Sequence, residues 1–207
     1  MRALLALLPA AAMMAGTAFA TAATGDAPGD AQSAGDADVT AKVGRHVKRG
    51  QSVTIKGEVE PAQARSVAIR VNGREVGSTR SDADGGFSLR WTPGGSGVYR
   101  VKAELPDGTT SKPDKVNVYR PAQASYYGPG LYGNGTACGG RLSPSTLGVA
   151  HKTLPCGTKL TLRHGKRSVR VRVIDRGPFA GNREYDLTAA TKARIGFGST
   201  GVVYTTR

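Results

Sequence analysis

Short runs of alternating apolar and polar residues, each closed by a glycine-bearing turn, recur along this chain from Val53 to Tyr204. Side chains of a strand point alternately to its two faces, so such runs specify strands with one buried side. The turns come too often to leave room for long helices, and the chain is read as all-β.

In the first half, Val53-Thr54-Ile55, Val67 to Val71, Phe87 to Trp91, Val98 to Ala103 and Val116 to Tyr119 are strands. Asn72-Gly73 is a strong hairpin turn signal. Gly94-Gly95-Ser96-Gly97 and Pro106-Asp107-Gly108 break the pattern again. Six or seven short strands with regular turns predict a β-sandwich over residues 40–120, with Phe87, Leu89 and Trp91 near its centre. The pattern resembles bacterial immunoglobulin-like modules. It carries no cluster of His, Cys or carboxylates, which favours a spacer or wall-adhesion role over an enzyme.

The composition changes at Pro121. Tyr126, Tyr127 and Tyr132 lie in or beside a glycine-rich stretch and could present flat rings to sugars, although Tyr126 or Tyr127 could equally begin a core strand. Val169 to Ile174 is a strand that ends at Asp175-Arg176-Gly177-Pro178-Phe179. Ala189 to Ile195 is a short helix capped by Thr188 or Asp186. Gly201 to Tyr204 closes the domain.

Several stretches here resemble the rare lipoprotein A (RlpA-like) family: Ala124-Ser125-Tyr126-Tyr127-Gly128, Thr136-Ala137-x-Gly139, Ala150 to Pro155 with Gly157-Thr158, Asp175 to Phe179, and Asp186-Leu187-Thr188. The resemblance spans nearly all of residues 124–207. It implies a six-stranded double-psi β-barrel related to that of expansins, and several family members are lytic transglycosylases that cut peptidoglycan. It also implies a secreted subgroup in which Cys138 and Cys156 staple the loop carrying His151. Members usually carry a Glu directly after Thr-Ala-x-Gly, and often an acid three positions later. Here those positions are Gly140 and Ser143, so a carboxylate that many members use is missing.

Three acids follow residue 123: Asp175, Glu184 and Asp186. Hydrolysis of a glycosidic bond usually takes two carboxylates. Lytic cleavage needs one, because the sugar's own 6-hydroxyl is the nucleophile. Asp175, at the end of a strand, is the candidate acid–base, with the capping of its turn as the alternative. His151 is expected to face it as a catalytic partner. Arg176 is a candidate substrate contact and a complication, since a cation beside Asp175 lowers its pKa unless it points away. Asp186 is expected to be a helix cap and Glu184 to be exposed. A non-catalytic, expansin-like protein that binds or loosens wall polysaccharide is the alternative function. A secreted basic inhibitor ranks below both.

The N-terminus sets the compartment. Arg2, an apolar run and Ala18-Phe19-Ala20 read as a signal peptide over residues 1–20, followed by a disordered spacer over 21–39. The expected location is secreted, extracellular or wall-associated, with no membrane attachment after cleavage. In that setting two cysteines predict a disulfide, although a metal site with His151 and His164 stays open. Only Arg2 of the 29 basic residues precedes residue 40, against four of the 15 acids, so the remainder carries a formal +17. Such charge calls for an anionic partner. Peptidoglycan or another anionic wall polymer fits, and export disfavours nucleic acid. The expected protein is a monomer without cofactor or metal.

Overall fold

The structure, a computed structural model, describes residues 36–207. The expected signal peptide and most of the spacer lie outside the described residues. Residues 36–39, assigned to the spacer by sequence, carry the first strand. Asp38–Val39 forms β1, and Val39 is 2% exposed against its neighbours, because a valine there can bury where the preceding polar residues cannot.

Eight short strands and half of a ninth make the first part: β1, β2 (Lys42–Val43), β3 (His46–Lys48), β4 (Val53–Glu60), β5 (Ser66–Val71), β6 (Arg74–Arg80), β7 (Gly86–Trp91), β8 (Gly97–Glu104) and β9 (Asp114–Tyr127). β4 pairs with β1, β2 and β7, all antiparallel. The other sheet runs β6, β5, β8, β9, with β3 parallel to β9. One core draws on both sheets, through Ile55 and Val59 from one and Val67, Ile69, Val101, Val116 and Val118 from the other. The β5–β6 hairpin turns at Asn72 and Gly73, both at positive φ, as that dipeptide predicts. Phe87 is buried, but Leu89 and Trp91 are only partly so and pack at the margin of the core.

β9 does not stop at Pro121. Its 14 residues leave the first core and enter a second, where β10 (Val149–His151), β11 (Lys159–His164), β12 (Arg167–Asp175), β13 (Tyr185–Thr188) and β14 (Thr200–Thr205) complete a closed six-stranded barrel. The strand order is β13, β10, β12, β11, β14, β9, and β13 returns to pair with β9. Two of the pairs, β10–β12 and β9–β13, are parallel. Pro121 sits where β9 has β14 alone as a ladder partner, an edge-like position that tolerates the missing N–H.

The single helix among the described residues, α1 (Ala189–Ile195), is capped by Thr188, whose side chain accepts from the Thr191 N–H. Its C-cap is Gly196 in the left-handed conformation. The barrel core is Ala124, Val149, Leu160, Leu162, Val171, Val173, Tyr185, Leu187 and Val203. It shares no residue with the first core.

Candidate active site

Alternation alone would put Asp175 inside the barrel, since Val173, two residues earlier, is buried there. A β-bulge prevents this. Val149 pairs with Val173, but the next residue, Ala150, pairs with Asp175, so Ile174 is the extra residue. A bulge re-aims the side chain that follows it. Ile174 folds over Gly148, where an added Cβ would come within 2.4 Å of it. Asp175 thereby joins the outward-facing set.

The register aligns that set across four adjacent strands. Asp175 of β12 lies level with Ala150 of β10, Ala150 with Asp186 of β13, and Asp186 with Ser125 of β9. Tyr127, two residues along β9, faces the same way. The Ser125 hydroxyl donates to Asp186 Oδ1 at 2.8 Å. Asp175 Oδ1 accepts the backbone N–H groups of Ala137 and Arg176, each at 2.9 Å. Asp186 is therefore not the helix cap. Thr188 takes that role, and the Asp186 carboxyl is left on the outer face beside Asp175.

Electrostatics set this row apart. Burial raises the Asp186 pKa above the usual aspartate value; the Ser125 hydrogen bond and Arg183 oppose the rise, and the Asp175 charge adds to it. Burial also pushes the Tyr127 hydroxyl up, with Asp175 and then Asp186 as the nearby negative charges. The Tyr127 hydroxyl is buried beside the Asp175 carboxylate but makes no well-formed hydrogen bond. An orphaned buried hydroxyl costs about 1–3 kcal/mol and calls for an explanation.

His151 does not face Asp175. It lies one residue past Ala150 and opposite Tyr185, so its ring turns inward, 5.1 Å from the Tyr185 ring. Its Nδ1 accepts the N–H groups of Thr153 and Leu154 at 3.1 and 3.0 Å. Its Nε2 is 3.7 Å from Glu184 Oε1. Burial lowers the His151 pKa; Glu184 works against that, while Arg120 and Arg176 assist.

Glu184 is half-buried, contrary to the exposed position expected. The Arg120 guanidinium grips both its carboxylate oxygens, with Nη1 2.8 Å from Oε2. Burial resists ionisation of Glu184, but Arg120 outweighs it and holds the pKa below the ordinary glutamate value. The pair stabilises the fold above that ordinary value, and the contribution is lost as pH falls through the lowered one. Glu184→Gln should therefore lower the melting temperature by a few degrees at pH 7 and by nothing once the pH is below the glutamate range. A melting difference that is the same at both would contradict the ion pair.

Arg176 is not free for substrate. Its guanidinium donates to the carbonyls of His151 and Leu154 at 3.3 and 2.9 Å and lies 3.2 Å from Cys156 Sγ. These contacts tie the 151–156 loop to the turn after β12. Cys138 and Cys156 form a disulfide, which removes both thiolates as metal ligands. Tyr126 packs against the core, with the Lys192 ammonium 3.8 Å from its ring centre. Tyr132 is 40% exposed, and Phe179, on the turn after Asp175, is 82% exposed. Phe179 was legible as part of the Asp175–Phe179 motif, but not as an uncovered ring.

Residues 122–206 match the family model described as "Lytic transglycolase". A Synechocystis protein named "Probable endolytic peptidoglycan transglycosylase RlpA" is 50% identical over 82 residues, 38% of this chain and 25% of the relative. A Campylobacter jejuni protein named "Endolytic peptidoglycan transglycosylase RlpA" is 40% identical over 109 residues, 50% of this chain and 40% of the relative. The chain thus spans less than half the length of these curated relatives. Among solved structures, Streptomyces papain inhibitor aligns at 23% identity with a TM-score of 0.34, over 42% of this chain and 90% of the inhibitor, too distant to carry an argument. With its closed six-stranded topology and this family match, the C-terminal barrel is similar to the double-psi β-barrels of RlpA-like proteins.

Proposed function

We propose that the barrel cleaves peptidoglycan glycan strands by lytic transglycosylation on its outer face, with Asp175 as the acid–base group. The observation that carries this reading is the row of Asp175 and Asp186 on one face, with the buried Tyr127 hydroxyl beside them. Glu184 is committed to Arg120, so these two are the acids of the barrel left for chemistry. Asp175 has one oxygen tied to backbone N–H groups and the other free of hydrogen bonds among the described residues.

In the proposed step the muramyl 6-hydroxyl attacks its own anomeric carbon and the glycosidic C–O bond breaks. Asp175 gives its proton to the leaving oxygen, and its carboxylate takes the proton of the attacking hydroxyl. No water is consumed. Asp186, whose pKa burial raises, is the second carboxyl of this face, across Ala150 from Asp175. The buried Tyr127 hydroxyl lies against Asp175 and supports that carboxyl from behind the sugar. Tyr132 and Phe179 offer exposed rings for sugar faces. His151 acts at a distance, holding with Arg176 the loop that ends in Cys156. The N-terminal sheets serve as a wall-adhesion or spacer module of an exported, wall-associated protein.

The second reading, wall binding without cleavage, is favoured by the loop over residues 128–148. It carries no carboxylate, with Gly140 and Ser143 where family members place acids. Incubation of the protein with purified peptidoglycan separates the two. Mass spectrometry should find 1,6-anhydromuramyl ends. Protein that pellets with the wall and releases no such ends would leave the second reading.

A further inference from the structure

A second feature lies away from the acid row, where the first sheets meet the barrel. Arg100 of β8 and Lys115 of β9 stand opposite each other in one ladder. Lys159 of β11, Arg170 of β12 and Arg207 after β14 come from the barrel. These five side chains line one cleft of about 580 Å³, and no Asp or Glu side chain lines it. All five are exposed, and none makes an ion pair among the described residues. The volume falls within the range of about 300–1,000 Å³ typical of ligand clefts.

The walls of the cleft are joined at its base. The Thr161 hydroxyl, on the barrel, lies 3.5 Å from Asn117 Oδ1, on the first sheets. The Thr161 N–H donates to the Thr206 hydroxyl at 3.0 Å, next to Arg207. β9, which carries Lys115, runs unbroken through both parts and pairs with β8 on one side of the cleft and β14 on the other. Five like charges held around one concavity repel one another, and an anion that enters relieves the repulsion. A groove lined by one sign of charge also focuses the field and concentrates counter-ions of the other sign.

We propose that this cleft is a binding site for a linear polyanion of the cell wall, a chain with anions at short regular spacing. Phosphodiester and uronate polymers share that chemistry. Five cations in one groove match several successive charges, which a single small anion would not use. The site would hold the protein on the wall while the barrel works elsewhere. It does not depend on whether the barrel cleaves glycan, because its test uses soluble polymers that carry no peptidoglycan bond.

The test measures binding of the full chain to a glycerol-phosphate oligomer and to an oligogalacturonate by calorimetry at fixed ionic strength. The combined variant Arg100→Gln, Lys115→Gln, Arg170→Gln should bind at least one of them tenfold or more weaker than wild type. A control with the same net charge, Lys42→Gln, Lys56→Gln, Lys112→Gln, removes exposed cations elsewhere and should change affinity by less than threefold. Which oligomer binds identifies the source of the anion. Equal losses in the two variants would overturn the proposal, since binding would then follow total charge. So would absence of binding to both oligomers, or binding only to anionic phospholipid vesicles. Unchanged melting of the cleft variant would exclude unfolding, and Lys115→Gln alone, at an exposed position, should retain a measurable part of the loss.

Discussion

Asp175→Asn should lower the rate at which the protein releases anhydro-ended glycan by about 100- to 10,000-fold, the usual effect of removing a general acid–base. The fold should survive. Asparagine keeps an Oδ1 in place, and that atom can still accept the Ala137 and Arg176 N–H groups. What asparagine lacks is the titratable carboxyl group. Asp175→Ala would remove the acceptor as well and free the 136–139 turn, so it would mix two effects. The clean comparison is Asn against wild type, with melting temperature as the control. Activity within threefold of wild type would remove Asp175 from the mechanism. Tyr127→Phe provides a second check on the same face. Its hydroxyl makes no well-formed hydrogen bond, so stability should hold or rise, while activity should fall if that hydroxyl supports Asp175.

Reduction of the Cys138–Cys156 disulfide should have the largest effect on stability. The bond closes a loop of 18 residues. By the loop-closure argument that constraint stabilises by about 3 kcal/mol. For a cooperative unit of this size the loss corresponds to a fall in melting temperature of roughly 10 °C. Activity should fall with it. The bond joins the loop that supplies the Ala137 N–H for Asp175 to the loop that Arg176 ties down. The Cys138 N–H itself donates to the Ile174 carbonyl at the bulge. Calorimetry with and without reductant measures the first effect, and product release measures the second. A melt indifferent to reductant would show that the staple does not hold the site.

Local signals in the chain were readable where local chemistry decides the outcome. Asn72-Gly73 takes the positive φ values that a two-residue hairpin needs. The Val169–Ile174 alternation lies within β12, and Ala189–Ile195 is the helix. Partners distant in sequence were not readable. Glu184 looks exposed beside Arg183, because the cation that holds it, Arg120, is 64 residues away. Pro121 looks like a boundary, because proline breaks most strands and nothing local reveals an edge-like stretch of β9. The pairing of His151 with Asp175 fails for a geometrical reason. Alternation fixes which residues of one strand share a face, but a bulge in the neighbouring strand resets which of its residues join them. Ile174 supplies that reset, and no sequence pattern marks it. Asp186 was misplaced for a related reason. Asp and Thr are both good caps, and the ladder with β9 and β10 decides between them.

Cleavage carried out in ¹⁸O-labelled water tests the central claim, that the outer face of the barrel breaks glycan strands without a water nucleophile. The account predicts new 1,6-anhydro ends that carry no label, since the attacking oxygen belongs to the sugar. Labelled reducing ends would show hydrolysis and contradict it, and intact strands after prolonged incubation would contradict it too.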